Sequence, residues 1–214
     1  MTTQLANTDS PRSDAKRRAI IAVARDAFLA RGYAATSMSE IATRLGGSKG
    51  TLYNYFRSKE ELFEAFMVEI CQGPAAEIFG RLPAVSESMD IRESLIDLGA
   101  SLLEFLLREE MIALHRLVVA EAGRFPELGR MFYEAGPERG EVRFAEFFEG
   151  AIAAGLVRPA DPKMMGQRLK DLVLSDVYLR RLWGVLAPLS AKALRAHVAE
   201  SVDIFLRAFG ETTA

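Results

Sequence analysis

The feature that most constrains this chain is a run of helix punctuation between residues 37 and 61. Ser37-Met38-Ser39-Glu40 reads as a capping box, in which hydroxyl and carboxylate each satisfy an otherwise unpaired backbone N–H. The helix it opens places Ile41, Ala42 and Leu45 on a buried side. Gly46-Gly47 stops that helix, and Ser48 is placed to cap a second short one from Lys49 to Phe56. Ser58-Lys59-Glu60-Glu61 is another capping box and starts a longer helix. Upstream, Ile20, Val23, Ala24, Ala27 and Phe28 recur at helical spacing behind an N-cap at Ser13. Gly32 ends that helix, with Tyr33 packing back on Phe28. Two short helices joined by a glycine turn and braced by a longer helix on each side predict a helix-turn-helix module.

Charge supports a division of labour. Net charge is −2, yet through Glu60 there are 10 Lys and Arg against 5 Asp and Glu, and beyond it 17 against 24. A basic head on an acidic body suits a polyanionic partner for the head alone. The expected organisation is a disordered tail over 1–12, a helix-turn-helix domain over 13–58, and a larger helical domain over 59–214. The single cysteine, Cys71, excludes an internal disulfide and a thiolate metal cluster. Apolar runs such as Leu102–Leu107 fall well short of the ~20 residues a bilayer span needs, and Met1–Ser13 lacks the apolar core of a secretory signal. A cytoplasmic protein without a membrane partner is expected.

The remainder reads as helix throughout, giving an all-α fold. Helices are expected at about Ile91–Leu107, Met111–Gly123, Pro126–Glu134, Pro137–Gly155, Pro162–Trp183 and Ser190–Phe209, the fifth announced by an Asp161 cap before Pro162. Gly73-Pro74 should kink or break the helix that starts near Lys59. The last helix carries Leu194, Val198, Val202, Phe205 and Phe209 in one stripe, with Ile204 and Ala208 beside it. A face that wide can serve a partner as well as the chain's own core, although burial in a monomer would also account for it.

At helical spacing Leu52 and Phe56 share the core face of the second short helix, while Gly50, Thr51 and Asn54 point away and Tyr53 and Tyr55 flank them. Small and amide side chains let a helix sit deep in a major groove, where Thr can meet a thymine methyl and Asn can pair with adenine. Tyrosine hydroxyls, Lys49, Lys59 and the helix N-terminus are suited to phosphates. Packing of both tyrosines on a neighbouring helix is the alternative.

The run Ala34-Ala35-Thr36-Ser37-Met38-Ser39-Glu40-Ile41-Ala42, followed by Ser48-Lys49-Gly50-Thr51-Leu52-Tyr53-Asn54-Tyr55-Phe56-Arg57-Ser58-Lys59-Glu60-Glu61-Leu62, resembles the signature of the tetracycline-repressor family of bacterial regulators. The resemblance implies an all-α homodimer with a three-helix DNA-binding domain and a ligand-binding, dimerising body in which the last helices form a four-helix interface. It also implies DNA contacts at Thr36, Ser37, Ser48, Lys49, Gly50, Thr51, Tyr53, Tyr55 and Lys59. Gly47 departs from the pattern, standing where the family usually has valine or a similar apolar residue, so the turn should pack less firmly. The segment Leu114–Leu128 is similar to one in a subgroup associated with multidrug efflux.

For catalysis the chain offers little: two histidines, His115 and His197, no phosphate-cradling glycine loop, and no metal site or cofactor is expected. A Cys71–His115 pair is not excluded by sequence, because such groups meet in space. Phenylalanine and methionine are abundant beyond residue 60, and such side chains form ordinary cores as well as adaptable pockets. The pocket that the resemblance implies is expected to draw on Phe66, Ile70, Leu102, Phe105, Leu106, His115, Phe132, Phe144, Phe148, Leu172 and Tyr178. The function expected is a repressor that a small apolar or amphipathic ligand releases from a palindromic DNA operator. The alternatives are an architectural DNA-binding protein without an inducer, and a helical enzyme.

Overall fold

The computed structural model describes residues 11–80 and 85–211, and within them ten helices follow one another. They are α1 (Pro11–Arg31), α2 (Met38–Arg44), α3 (Lys49–Tyr55), α4 (Lys59–Gly80), α5 (Ile91–Leu106), α6 (Glu109–Glu121), α7 (Pro126–Ala135), α8 (Pro137–Ala153), α9 (Pro162–Leu182) and α10 (Ala191–Phe209). Extended pairing among the described residues is an isolated bridge between Val157 and Gly210, so the expected all-α class holds. Of the expected tail, residues 1–10 lie outside the described residues. Pro11 and Arg12 already belong to α1, so the helix starts ahead of Ser13.

In the head, local chemistry sets the helix ends. Ser37 Oγ accepts from the Glu40 amide at 3.2 Å, and Ser48 Oγ accepts from the Thr51 amide at 3.2 Å. The reciprocal half of the first capping box is replaced: Glu40 Oε1 lies 2.9 Å from Arg31 and 2.7 Å from Arg44. At α4 the Glu61 amide donates to Ser58 Oγ at 3.1 Å, and the Glu61 carboxylate accepts from the Arg57 amide at 2.7 Å, one residue ahead of the cap. The turn after α2 is a Schellman motif, with Gly46 N–H donating to Thr43 O and Gly47 N–H to Ala42 O. Gly46 takes φ +68 there, which a residue with a Cβ rarely adopts.

An aromatic cluster joins head to body. Phe28 meets Phe63 edge-on at 5.1 Å and stacks on Tyr33 at 5.7 Å, while Tyr33 meets Phe63 at 5.0 Å and Phe125 at 5.2 Å. The helix α4 that carries Phe63 runs without a break through Gly73-Pro74, so of the expected kink or break the break does not occur. Cys71 and Ile78, one on each side and two turns apart, are both buried, so packing holds the helix where one hydrogen bond is lost.

Below the head, α8, α9, α10 and α5 pack closely. A Cβ at Gly166 would fall 2.5 Å from that of Phe144, so the α8–α9 crossing depends on this glycine. Helix α9 is interrupted at Ser175 (φ 41, ψ −143). The interruption takes backbone donors from the turn before it, and α10 supplies replacements. Ser201 Oγ donates to Leu172 O at 3.1 Å, and His197 Nε2 lies 2.9 Å from Val173 O, which sets the Nε2–H tautomer.

Candidate DNA interface and body cavity

Leu52 and Phe56 are fully buried, and they fix which face of α3 turns outward. Ser48, Lys49, Gly50, Tyr53 and Asn54 are exposed on it, as is Ser37 at the cap of α2. Thr51 is half-buried, its hydroxyl 3.1 Å from that of Ser48. Tyr55 is half-buried against the core of the head, so the two flanking tyrosines are not equivalent. Gly50 lies within α3, yet a Cβ there would meet nothing closer than Ser48 Oγ at 3.6 Å. The chain's own packing therefore does not require glycine at this position.

One of the expected DNA contacts needs correcting at the level of the side chain, and a second has partners within the chain. Thr36 is 2% exposed, and its hydroxyl donates to Gly32 O at 2.8 Å, so it braces the end of α1. The Lys59 ammonium donates to Tyr33 O at 2.9 Å and Thr36 O at 3.1 Å, and sits 4.1 Å from the centre of the Tyr33 ring. It is half-buried, with two of its three donors engaged by these carbonyls. Of the basic residues nearby, Arg57 and Lys49 are exposed, and Arg17 lies over the Phe56 ring at 5.1 Å. Sequence periodicity cannot show which lysines have already found carbonyl partners.

The body contains an apolar cavity of about 200 Å³. Helix α4 contributes Cys71, Ile78 and Phe79; α5 contributes Leu102, Phe105 and Leu106; α6 contributes Met111 and His115. The far wall is Pro137, Gly140, Glu141 and Phe144 of α8 with Gly166, Gln167, Lys170, Leu174 and Tyr178 of α9. Among the expected lining residues, Leu102, Phe105, Leu106, His115, Phe144 and Tyr178 are there. Phe66 and Ile70 instead line a separate cavity of about 160 Å³ at the seam with the head, beside Ile21 and Arg25 of α1. Phe148 is fully buried against Phe205, Phe132 stands behind His115 at 4.8 Å, and Leu172 packs on the core away from the cavity. The missed polar members are Glu141 of α8 and Gln167 and Lys170 of α9; the last two line the cavity with Leu174 and Tyr178, an i, i+3, i+7, i+11 series from Gln167.

Burial governs ionisation in this cavity. It pushes the His115 imidazole down to about 4, the Cys71 thiol up to about 11 and the Tyr178 hydroxyl up to about 12. All three are neutral at pH 7. A base so weak beside a thiol so reluctant to ionise is a poor nucleophilic pair, although both line the same space.

The helix-turn-helix and the cavity-bearing bundle define a ligand-regulator architecture, and comparison with known proteins identifies the family. Residues 20–66 match the bacterial regulatory proteins of the tetR family, and residues 93–211 match the C-terminal domain of AefR-like transcriptional repressors. The chain belongs to the TetR family of transcriptional regulators. A TetR-family regulator from Mesorhizobium loti is 34% identical, covering 94% of this chain and 100% of its own, with a TM-score of 0.84. The flavonoid-responsive regulator FrrA is 33% identical over 94% of this chain and 100% of its own, with a TM-score of 0.78. The HTH-type transcriptional regulator YhgD of Bacillus subtilis is 24% identical over 167 residues, covering 76% of this chain and 83% of its own. Among the described residues no helix is long and apolar enough to cross a membrane.

Proposed function

We propose that the chain is a homodimeric repressor whose heads bind a palindromic operator and whose body cavity takes a small apolar or amphipathic ligand that releases it. The observation that carries this reading is the double engagement of α6. Met111 and His115 of α6 line the cavity, while Glu121 accepts from the Ala34 amide at 3.0 Å and Glu110 lies 3.2 Å from Arg25 of α1. A shift of α6 on ligand binding therefore reaches the start of the helix-turn-helix directly. Such a shift acts only through the ligand's different affinity for the two arrangements. Likeness to a repressor's C-terminal domain and to a flavonoid-responsive regulator supports the same reading.

In this reading Ser37, Ser48, Lys49 and Tyr53 hold phosphates, Tyr55 helps at the edge, and Gly50, Thr51 and Asn54 face base edges. Residues 13–58 form the reading unit and 59–214 the responsive one. Leu179, Trp183, Val185 and Ile204 are large apolar residues left exposed along α9, the turn that follows it and α10, suited to a four-helix contact with a second copy.

Selection on randomised duplex DNA, followed by sedimentation of the complex, tests the proposal. The expected result is a palindrome with half-sites about 34–36 Å apart, or a multiple of that, bound by two chains. Selection of a single half-site by a monomer would overturn it. Operator affinity that no occupant of the cavity changes would favour the architectural reading.

A further inference from the structure

The polar groups of the cavity are unevenly matched. Glu141 already has partners, with Lys163 Nζ at 3.2 Å and the Tyr133 hydroxyl donating to it at 3.3 Å. Lys170, which lines the same wall, has no carboxylate or hydrogen-bond partner among the described residues. Toward the other end, His115 meets Tyr178 edge-on at 5.4 Å. Nδ1 of His115 is sealed off without a partner, which leaves Nε2 as the ring nitrogen that the cavity can reach. An unprotonated nitrogen is the cheaper one to leave orphaned, so Nε2 carries the proton and donates. The Tyr178 hydroxyl is likewise without a partner among the described residues.

The cavity thus presents a cation toward one end, neutral donors toward the other, and the side chains of Leu102, Phe105, Phe144 and Leu174 between. Lys170 and Tyr178 are eight residues apart on α9, one on each side of its interruption at Ser175, and both line the cavity. A pure hydrocarbon would leave every donor unsatisfied, and a cationic ligand would face Lys170 directly. The volume is comparable to the apolar cavity of about 150 Å³ that takes up benzene, so one substituted ring is accommodated as the structure stands.

We infer that the cavity binds a flat aromatic carboxylate, its carboxylate on Lys170 and a neutral oxygen at its far end accepting from His115 Nε2. The inference rests on the reading of the cavity as the effector site, and it names the chemistry of that effector.

Calorimetry on the full chain with 4-hydroxycinnamate and its methyl ester tests it. The acid should bind, and Lys170→Met should weaken it roughly tenfold while leaving the ester nearly unchanged. His115→Phe should weaken both, and Leu102→Trp, which fills the cavity, should abolish both. If the ester binds as tightly as the acid and Lys170→Met changes neither, the carboxylate assignment is overturned and the effector site stands. Binding that survives Leu102→Trp places the probes elsewhere and overturns the inference. Absence of binding by either probe also overturns it; whether 2-naphthol raises the melting temperature of wild type but not of Leu102→Trp then decides if the effector-site reading falls with it.

Discussion

Head and body treat their polar groups in opposite ways. In the head, Thr36, Lys59, Ser48 and Glu40 are tied to backbone or to arginine, and the unsatisfied polar surface is pushed outward onto α3. In the body, the unsatisfied groups are turned inward, where His115, Tyr178 and Lys170 share an apolar cavity. A reader of DNA needs a firm frame behind an open polar face. A ligand site needs the reverse, a closed apolar shell with a few donors left waiting.

A single type of substitution separates the two regions. Gly166→Ala should destabilise the body by about 3 kcal/mol, since its Cβ has no room beside Phe144. Urea denaturation would show this, and a loss below about 1 kcal/mol would mean that α8 and α9 separate easily. The next largest effect concerns acid. With the folded His115 near 4 and an ordinary value of 6.5, the native chain holds fewer protons than the unfolded one between those limits. Stability is therefore lost as pH falls from 6.5 toward 4, by roughly 2–3 kcal/mol at the lower end. His115→Phe removes that share, so its denaturation midpoint should fall less steeply with acid than the wild type's. Parallel curves would show that His115 is not sealed as described.

On the head, Asn54→Ala should cost about 1–3 kcal/mol at particular base pairs and relax the preference there, as read by selection on randomised DNA. An unchanged sequence preference would move base readout away from α3. Lys49→Ala should weaken all sequences alike and reduce the log–log salt slope by about one. Titration at several salt concentrations distinguishes that from a loss confined to one sequence.

Most helix boundaries were legible because capping is local. Ser37, Ser48, Asp90, Asp161 and Ser190 all accept from the amide three residues on. Where the sequence misled, the deciding partner was distant. Gly73-Pro74 signals a break that burial of Cys71 and Ile78 overrides. Ser175 breaks α9 without glycine or proline nearby, because His197 and Ser201 of α10 accommodate the carbonyls it releases. The cavity was half legible for a related reason. Six of the eleven residues expected there line it, whereas Phe66 and Ile70 line the seam with the head, Phe132, Phe148 and Leu172 pack behind it, and Lys170 lay outside the expected set. Which face of a helix turns to a shared space depends on the helices opposite.

The central claim is that the outward face of α3 is shaped for DNA and not for its own chain. Gly50 tests it most directly, because alanine there makes only an ordinary contact with Ser48 Oγ and removes the conformational cost of glycine in a helix. Gly50→Ala, measured for both thermal stability and operator affinity, should leave the head unchanged or up to about 1 kcal/mol more stable while DNA binding weakens. Full operator affinity in that variant would contradict the account, since a groove that tolerates the extra methyl is not approached closely at this helix.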